Sequence, residues 1–195
     1  MIECFQDVMD TLGKTLDLID EELFDKLKAH CNSALDNNKK IVVSGLGKNV
    51  PICEKFVGTM NSLGLSASFL HTNSAVHGDL GIVKEGDMII LLTKSGDTEE
   101  SIYLAKLLKE RNVNLWLMSF TKDSKLSKMI GNKFIIDLEH EGDLWNIMPN
   151  NSTTLYLIIL QVLAMELAKD RNITLEEFGK NHPGGHIGKI IREEC

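Results

Sequence analysis

"LLTKSGDTEE", residues 91–100, is where an apolar run stops and a helical pattern starts, with Thr93, Lys94, Ser95, Gly96, Asp97 and Thr98 in between. If the run is a strand of a parallel sheet, these residues lie at its carboxyl end beside a helix N-terminus, where open α/β sheets bind anions. Other segments share the rhythm: "KKIVVSGLG" (39–47), "SASFLH" (66–71), "MIILLT" (88–93), "VNLWLMS" (113–119) and "KFIIDL" (133–138) are short, apolar and rich in branched residues. Helical spacing follows the first (50–63), the third (98–111) and the fourth (124–130). Near-continuous apolar strands separated by helices predict a parallel sheet covered on both faces, a three-layer α/β/α sandwich.

On either side of this core the pattern is helical. Residues 2–18 and 21–36 form two N-terminal helices, with Asp20 as N-cap of the second. After the last strand comes a polar connection, "EHEGDLWNIMPNN" (139–151), then a long helix over 151–169 and a shorter one over 174–180, which ends in "NHPGGHIGK" (181–189). A connection of that length in a compact domain is often functional. With 195 residues, 43% apolar and 25% charged, the chain is expected to form one domain over 1–195, burying about 70% of its unfolded surface. Residues 1–36 supply the N-terminal helices, and 37–195 the α/β core and the C-terminal helices.

A formal charge of −7 without a Lys/Arg cluster excludes an electrostatic footprint for nucleic acid. Cys4, Cys31, Cys53 and Cys195 are scattered without a CxxC pair and fit free thiols in a reducing compartment. "MIECFQDVMD" carries acids early and no apolar h-region, and the apolar stretch 155–167 is interrupted by Gln161 and Glu166, too short to span a bilayer. The expected location is the cytoplasm, with no membrane partner.

Three groups of residues carry chemistry. "SGLGKN" (44–49) opens a helix after the first strand, so Gly45 and Gly47 let backbone amides approach an anion while Lys48 adds charge; it fits neither the Walker A nor the dinucleotide pattern. Ser95, Gly96 and Thr98 sit at the next strand end, with Thr98 either an N-cap or a phosphate ligand, and Ser152, Thr153 and Thr154 follow Pro149 at another helix start. Two hydroxyl clusters at helix N-termini are expected to converge on one phosphate. His77 in "AVHGDLG" (75–81) and His182 in the late glycine loop are turn histidines, either structural or proton-transferring. His186 stands four residues after His182, but Pro183, Gly184 and Gly185 argue against the helix that a metal pair there needs, so no metal is expected. Glu100, Glu139 and Glu141 are the carboxylates nearest strand ends, and burial of one would make it a general base.

Taken together, "VVSGLGKN", "HTNSAVHGDLGIVKEGDMIILLTKSGDTEE" and "NHPGGHIGK" resemble the sugar isomerase (SIS) domain family over roughly residues 35–190, and within it the arabinose 5-phosphate isomerase branch. The resemblance implies a five-stranded parallel sheet of the flavodoxin-like kind with sugar phosphate at the strand carboxyl ends. It implies catalytic roles for Lys48, His77, Glu100, Glu141 and His182, and phosphate contacts from Ser44, Thr93, Ser95, Thr98, Ser152 and Thr153 with Gly45, Gly47 and Gly96. It further implies a homodimer or homotetramer in which a neighbouring subunit completes each site, so that His182 acts in trans. The chain departs from the branch at Asn49 and Val50, where GKSG is usual, and at Asn150 and Asn151 in place of the first Thr-Ser of Pro-Thr-Ser-Ser-Thr. With an end at Cys195, the CBS pair that commonly follows is expected to be absent.

The function so implied is interconversion of arabinose 5-phosphate and ribulose 5-phosphate through an enediol, without a cofactor. Glu141 or Glu100 takes the carbon-bound proton, His182 opens the ring or protonates oxygen, His77 positions the substrate, and Lys48 neutralises phosphate or the enediolate. Two other readings stand beside it: a non-catalytic sugar-phosphate-binding protein, and an isomerase of another phosphosugar such as a phosphohexulose.

Overall fold

The computed structural model describes residues 2–194; Cys195, and with it the expectation of a free thiol there, lies outside them. Five parallel strands form one sheet in the order β2-β1-β3-β4-β5: β1 Ile41–Gly45, β2 Ala67–His71, β3 Met88–Leu92, β4 Asn114–Ser119 and β5 Asn132–Ile135. Every residue of β1 and β3 is buried, which is why their sequences read as unbroken apolar runs. The edge strand β2 buries only Leu70.

Alternation along the strands divides the core in two. Ile41, Val43, Met88, Ile90, Trp116, Met118 and Phe134 face helices α1 (Ile2–Asp17), α2 (Glu21–Asp36), α3 (Asn49–Ser62) and α7 (Asn151–Asp170). Val42, Ile89, Leu91, Leu115 and Leu117 face α5 (Glu99–Lys109), α6 (Lys125–Met129) and the short α4 (Thr72–Ala75). At 20 residues α7 has the length and composition of a membrane-crossing helix, more than the stretch 155–167 indicated, and half of it is buried in the core.

Two features of the fold depart from the sequence pattern. The chain after β2 makes α4 and a 3-10 turn, Asp79–Ile82, which carry Ala75 and Leu80 into the second core. Beyond α8 (Leu175–Lys180) the proline and glycines end one helix but open another, α9 (Gly185–Glu194), with Gly185 at φ +69°.

The functional consequence lies in the topology. From β1 the chain crosses to β2 on one side, and from β3 it crosses to β4 on the other, so the loops after β1 and β3 part over a crevice at the carboxyl edge of the sheet. In contrast, α8 and α9 lie at the amino edge, where Asn181 Nδ2 donates to Ser62 O (3.2 Å) at the far end of α3.

Candidate functional site

At the end of β1, Ser44 is buried with its hydroxyl 3.1 Å from that of Thr72. Gly45 serves packing: a Cβ there would stand 2.8 Å from Asn49 Cβ and 3.3 Å from Cys53 Sγ, so its absence brings α3 onto the strand. Gly47 turns the chain at φ +57° in open space. The amides of Asn49 and Val50 already donate to Leu46 O (3.0 Å) and Gly47 O (3.2 Å), and Pro51 has none. What this loop offers the crevice is the exposed cation of Lys48.

The loop after β3 is held from below and open above. Lys94 O accepts from Phe120 N (3.2 Å), Ser119 Oγ (3.0 Å) and Thr121 Oγ1 (3.0 Å), Thr93 Oγ1 accepts from Gly96 N (3.3 Å), and Lys125 N donates to Asp97 Oδ1 (2.9 Å). Gly96 is buried at φ +67° with its α carbon against Ser124, where any side chain collides. Thr98 occupies the N-cap position of α5 without a side-chain capping bond, so its hydroxyl is not spent on the helix. The first amides of α5 lack intrahelical partners by helix geometry, and the exposed Ser95 stands beside them, its Oγ accepting only from Asp97 N at 3.3 Å.

His77 and Glu100 line one cavity with Thr72, Asn73, Val76 and Tyr103, about 270 Å³ in volume, between α4 and α5. Thr72, hydrogen-bonded to Ser44, joins that cavity to the end of β1.

Glu141 has a different environment. It is 1% exposed, yet both oxygens are fully engaged: Oε1 accepts from Lys94 Nζ (2.6 Å) and Ser152 Oγ (2.6 Å), and Oε2 from Asn150 N (3.0 Å) and Ser152 N (2.9 Å). Burial pushes the carboxyl's pKa up, but the Lys94 ammonium, Ser152 and the two backbone amides outweigh it and hold it below the ordinary value of 4.5. Glu141 thus caps α7 from outside the helix, whose N-cap Asn150 makes no side-chain bond. In the second hydroxyl cluster, Ser152 Oγ donates to Glu141 Oε1 (2.6 Å), and Thr153 Oγ1 donates to Asn150 O (2.9 Å). Glu139 lies apart, in a depression with Asp137, Asp17 and Lys14. Lys94, in the sequence one cation in a polar turn, is the residue that connects the β3 loop to Glu141.

His182 is not at the crevice. Its ring stacks on Phe178 (centroids 4.1 Å apart) with Nδ1 2.9 Å from Phe178 O, at the amino edge of the sheet. The 14 residues of α3 separate the two edges, about 20 Å at ~1.5 Å per residue. His186 lies in the first turn of α9, and among the described residues no group of three or more His, Cys, Asp and Glu is placed to hold a metal ion.

Residues 34–166 match the model of the SIS domain. The chain is 32% identical to the arabinose 5-phosphate isomerase KdsD of Pseudomonas aeruginosa over 185 residues, 93% of this chain and 56% of that protein. To the arabinose 5-phosphate isomerase KdsD of Yersinia pestis it is 32% identical over 173 residues, 89% and 53% of the two chains. It therefore spans about half the length of these curated relatives. Among solved structures, a protein of Escherichia coli in complex with arabinose 5-phosphate superposes with a TM-score of 0.84 at 27% identity, over 92% of this chain and 94% of that one.

Proposed function

The chain belongs to the SIS domain family, and from that premise we propose that it is an aldose–ketose isomerase of sugar phosphates, acting on arabinose 5-phosphate and ribulose 5-phosphate. The observation that carries this reading is the pairing of Glu100 and His77 in one cavity beside the uncapped N-terminus of α5 at the switch point of the sheet. Phosphate sits on the first amides of α5 with the hydroxyls of Ser95 and Thr98, and Lys48 approaches it from the β1 loop. Glu100, at the cavity, takes the proton from C2 of the aldose. A proton passes from O2 to O1 as the enediolate forms, and Glu100 returns its own proton to C1, leaving the ketose. His77 orients the substrate hydroxyls, and His182 of a second copy opens the ring or moves the oxygen proton.

Geometry favours Glu100 over Glu141 as the carbon base. A carboxylate accepting from an ammonium, a hydroxyl and two amides has little basicity left and no free lone pair aimed outward. Glu100 is exposed at the cavity.

The test is turnover of metal-free protein on a panel of five- and six-carbon sugar phosphates, following exchange of the proton next to the carbonyl with solvent deuterium. Exchange with arabinose 5-phosphate, reduced about 10²–10⁴-fold in Glu100→Gln, is the expected result. Exchange with another sugar alone would move the substrate assignment. Saturable thermal stabilisation by a sugar phosphate without exchange would overturn catalysis in favour of a binding protein.

A further inference from the structure

Lys94 touches three of the elements that wall the crevice. Its carbonyl takes three donors from the end of β4, and its peptide continues directly into Ser95. Its ammonium crosses to the connection between β5 and α7, where it closes on Glu141 at 2.6 Å. Glu141 is buried and Lys94 retains 39% exposure, so the pair spans the wall from interior to crevice. The connection beyond Glu141 is ordered by the chain itself: Glu141 N donates to Asn146 Oδ1 (2.8 Å), while Asp143 accepts from the amides of Trp145 (2.8 Å), Ile147 (3.0 Å) and Met148 (2.9 Å). The contact that ties this ordered segment to the β3 loop is the Lys94 ammonium.

From this we propose that Lys94 is a positioning residue of the site: it pins the Glu141 carboxylate into the first turn of α7, fixing the wall formed by residues 141–152 against the β3 loop. The helix N-terminus of α7 is then filled from within, and the one at α5 is left for the substrate's phosphate. A sugar carrying a single phosphate fits this arrangement, because a second anionic group meets a carboxylate where α7 would otherwise receive it. The site's role in isomerisation rests on the function proposed above; the pinning does not.

Removing the ammonium strands a buried carboxylate with three donors instead of four. The carboxyl then takes up a proton more readily, accepts fewer amides, and releases the wall. Displacements of about 1 Å at a reacting site cost on the order of 10²-fold in rate. The titratable groups that act on Glu141 are Lys94 from the β3 loop and Tyr156 on α7, while the neighbouring His140 accepts from Gly142 N through Nδ1 and acts on Asp143.

The experiment compares the wild type with Lys94→Met, Lys94→Arg, Glu141→Gln and the double variant Lys94→Met/Glu141→Gln. Carboxyl carbon NMR of the wild type and the two Lys94 variants follows the titration of Glu141, identified as the signal missing from Glu141→Gln. The expected rise in Lys94→Met is about 1–3 pH units, with return towards wild type in Lys94→Arg; a midpoint that does not move overturns the pinning, whatever the protein catalyses. Steady-state kinetics then expects kcat at least tenfold lower in Lys94→Met with KM changed less, recovery in Lys94→Arg, and a double variant less impaired than the product of the single effects. Strict multiplicativity in a protein whose Glu141 titration did shift overturns the positioning role. If the wild type turns over no sugar phosphate, the isomerase reading falls by itself, and the titration still decides the pinning.

Discussion

At the scale of the residue, Glu141 shows how a buried charge is made tolerable. Its contacts come from the β3 loop, the start of α7 and the N-cap position, so ionisation is more favoured in the folded chain than in the unfolded one. A carboxyl whose folded pKa lies below its unfolded value stabilises the protein fully above that unfolded value, and the contribution disappears as pH falls through the folded one. Asp143 acts in the same direction, since burial raises its pKa but the amides of Trp145, Met148 and Ile147 lower it further. The acid sensitivity of the wild type therefore mixes several groups, and a variant isolates one. Relative to Glu141→Gln, the wild type is expected to be more stable by about 1.5–3 kcal/mol at pH 7, the range for hydrogen bonds to charged groups. In urea denaturation at pH 7, 5, 4 and 3, that gap should be constant down to about pH 5 and close below the ordinary carboxyl value of 4.5. A gap unchanged at pH 3 would mean that folding does not lower the pKa of Glu141.

Among the elements, some helix starts are closed by a capping side chain, and others, those of α3, α4 and α5, are not. Thr174 and Ser124 form reciprocal capping boxes at α8 and α6, Asp20 caps α2, and Glu141 closes α7 from a distance. Thr98 holds the same backbone position at α5 but makes no such bond. Thr174→Ala is thus expected to cost about 1 kcal/mol, as N-cap removals do, whereas Thr98→Ala should cost under about 0.5 kcal/mol, within the range of surface substitutions, and weaken sugar-phosphate binding several-fold. Equal destabilisation of the two, with ligand-induced thermal shift intact in Thr98→Ala, would return Thr98 to a capping role. The strands and long helices are legible in the sequence because burial on two faces imposes apolar runs and burial on one imposes helical spacing. Thr98 is legible as an N-cap position, but whether its hydroxyl is free is not, since that depends on a rotamer. Lys94 and Glu141 are 47 positions apart by their numbers, and no local pattern connects them. Gly45 and Gly96 read as ligand-approach glycines, while their neighbours Asn49 and Ser124 show that close packing also demands them. The helix α9 is hidden because Pro183 and Gly184, which end α8, mask a second start at Gly185.

For the whole molecule, the positions of Glu100 and His182 pose a question that one copy of the chain does not answer. The first stands at the carboxyl edge of the sheet and the second at the amino edge, with the length of α3 between them. No rotamer spans about 20 Å, so a reaction that uses both draws them from different copies. Each copy then donates His182 to a neighbour's crevice and receives a His182 in its own. Glu100→Gln and His182→Asn should each be nearly inactive alone. When the two are unfolded together and refolded as a mixture, a site that takes Glu100 from one variant and His182 from the other is intact. Random pairing makes about a quarter of the sites whole, so turnover should return to about a quarter of the wild-type value. A His182→Asn variant that keeps wild-type turnover would remove His182 from the reaction and leave Glu100 and His77 to carry it within one chain.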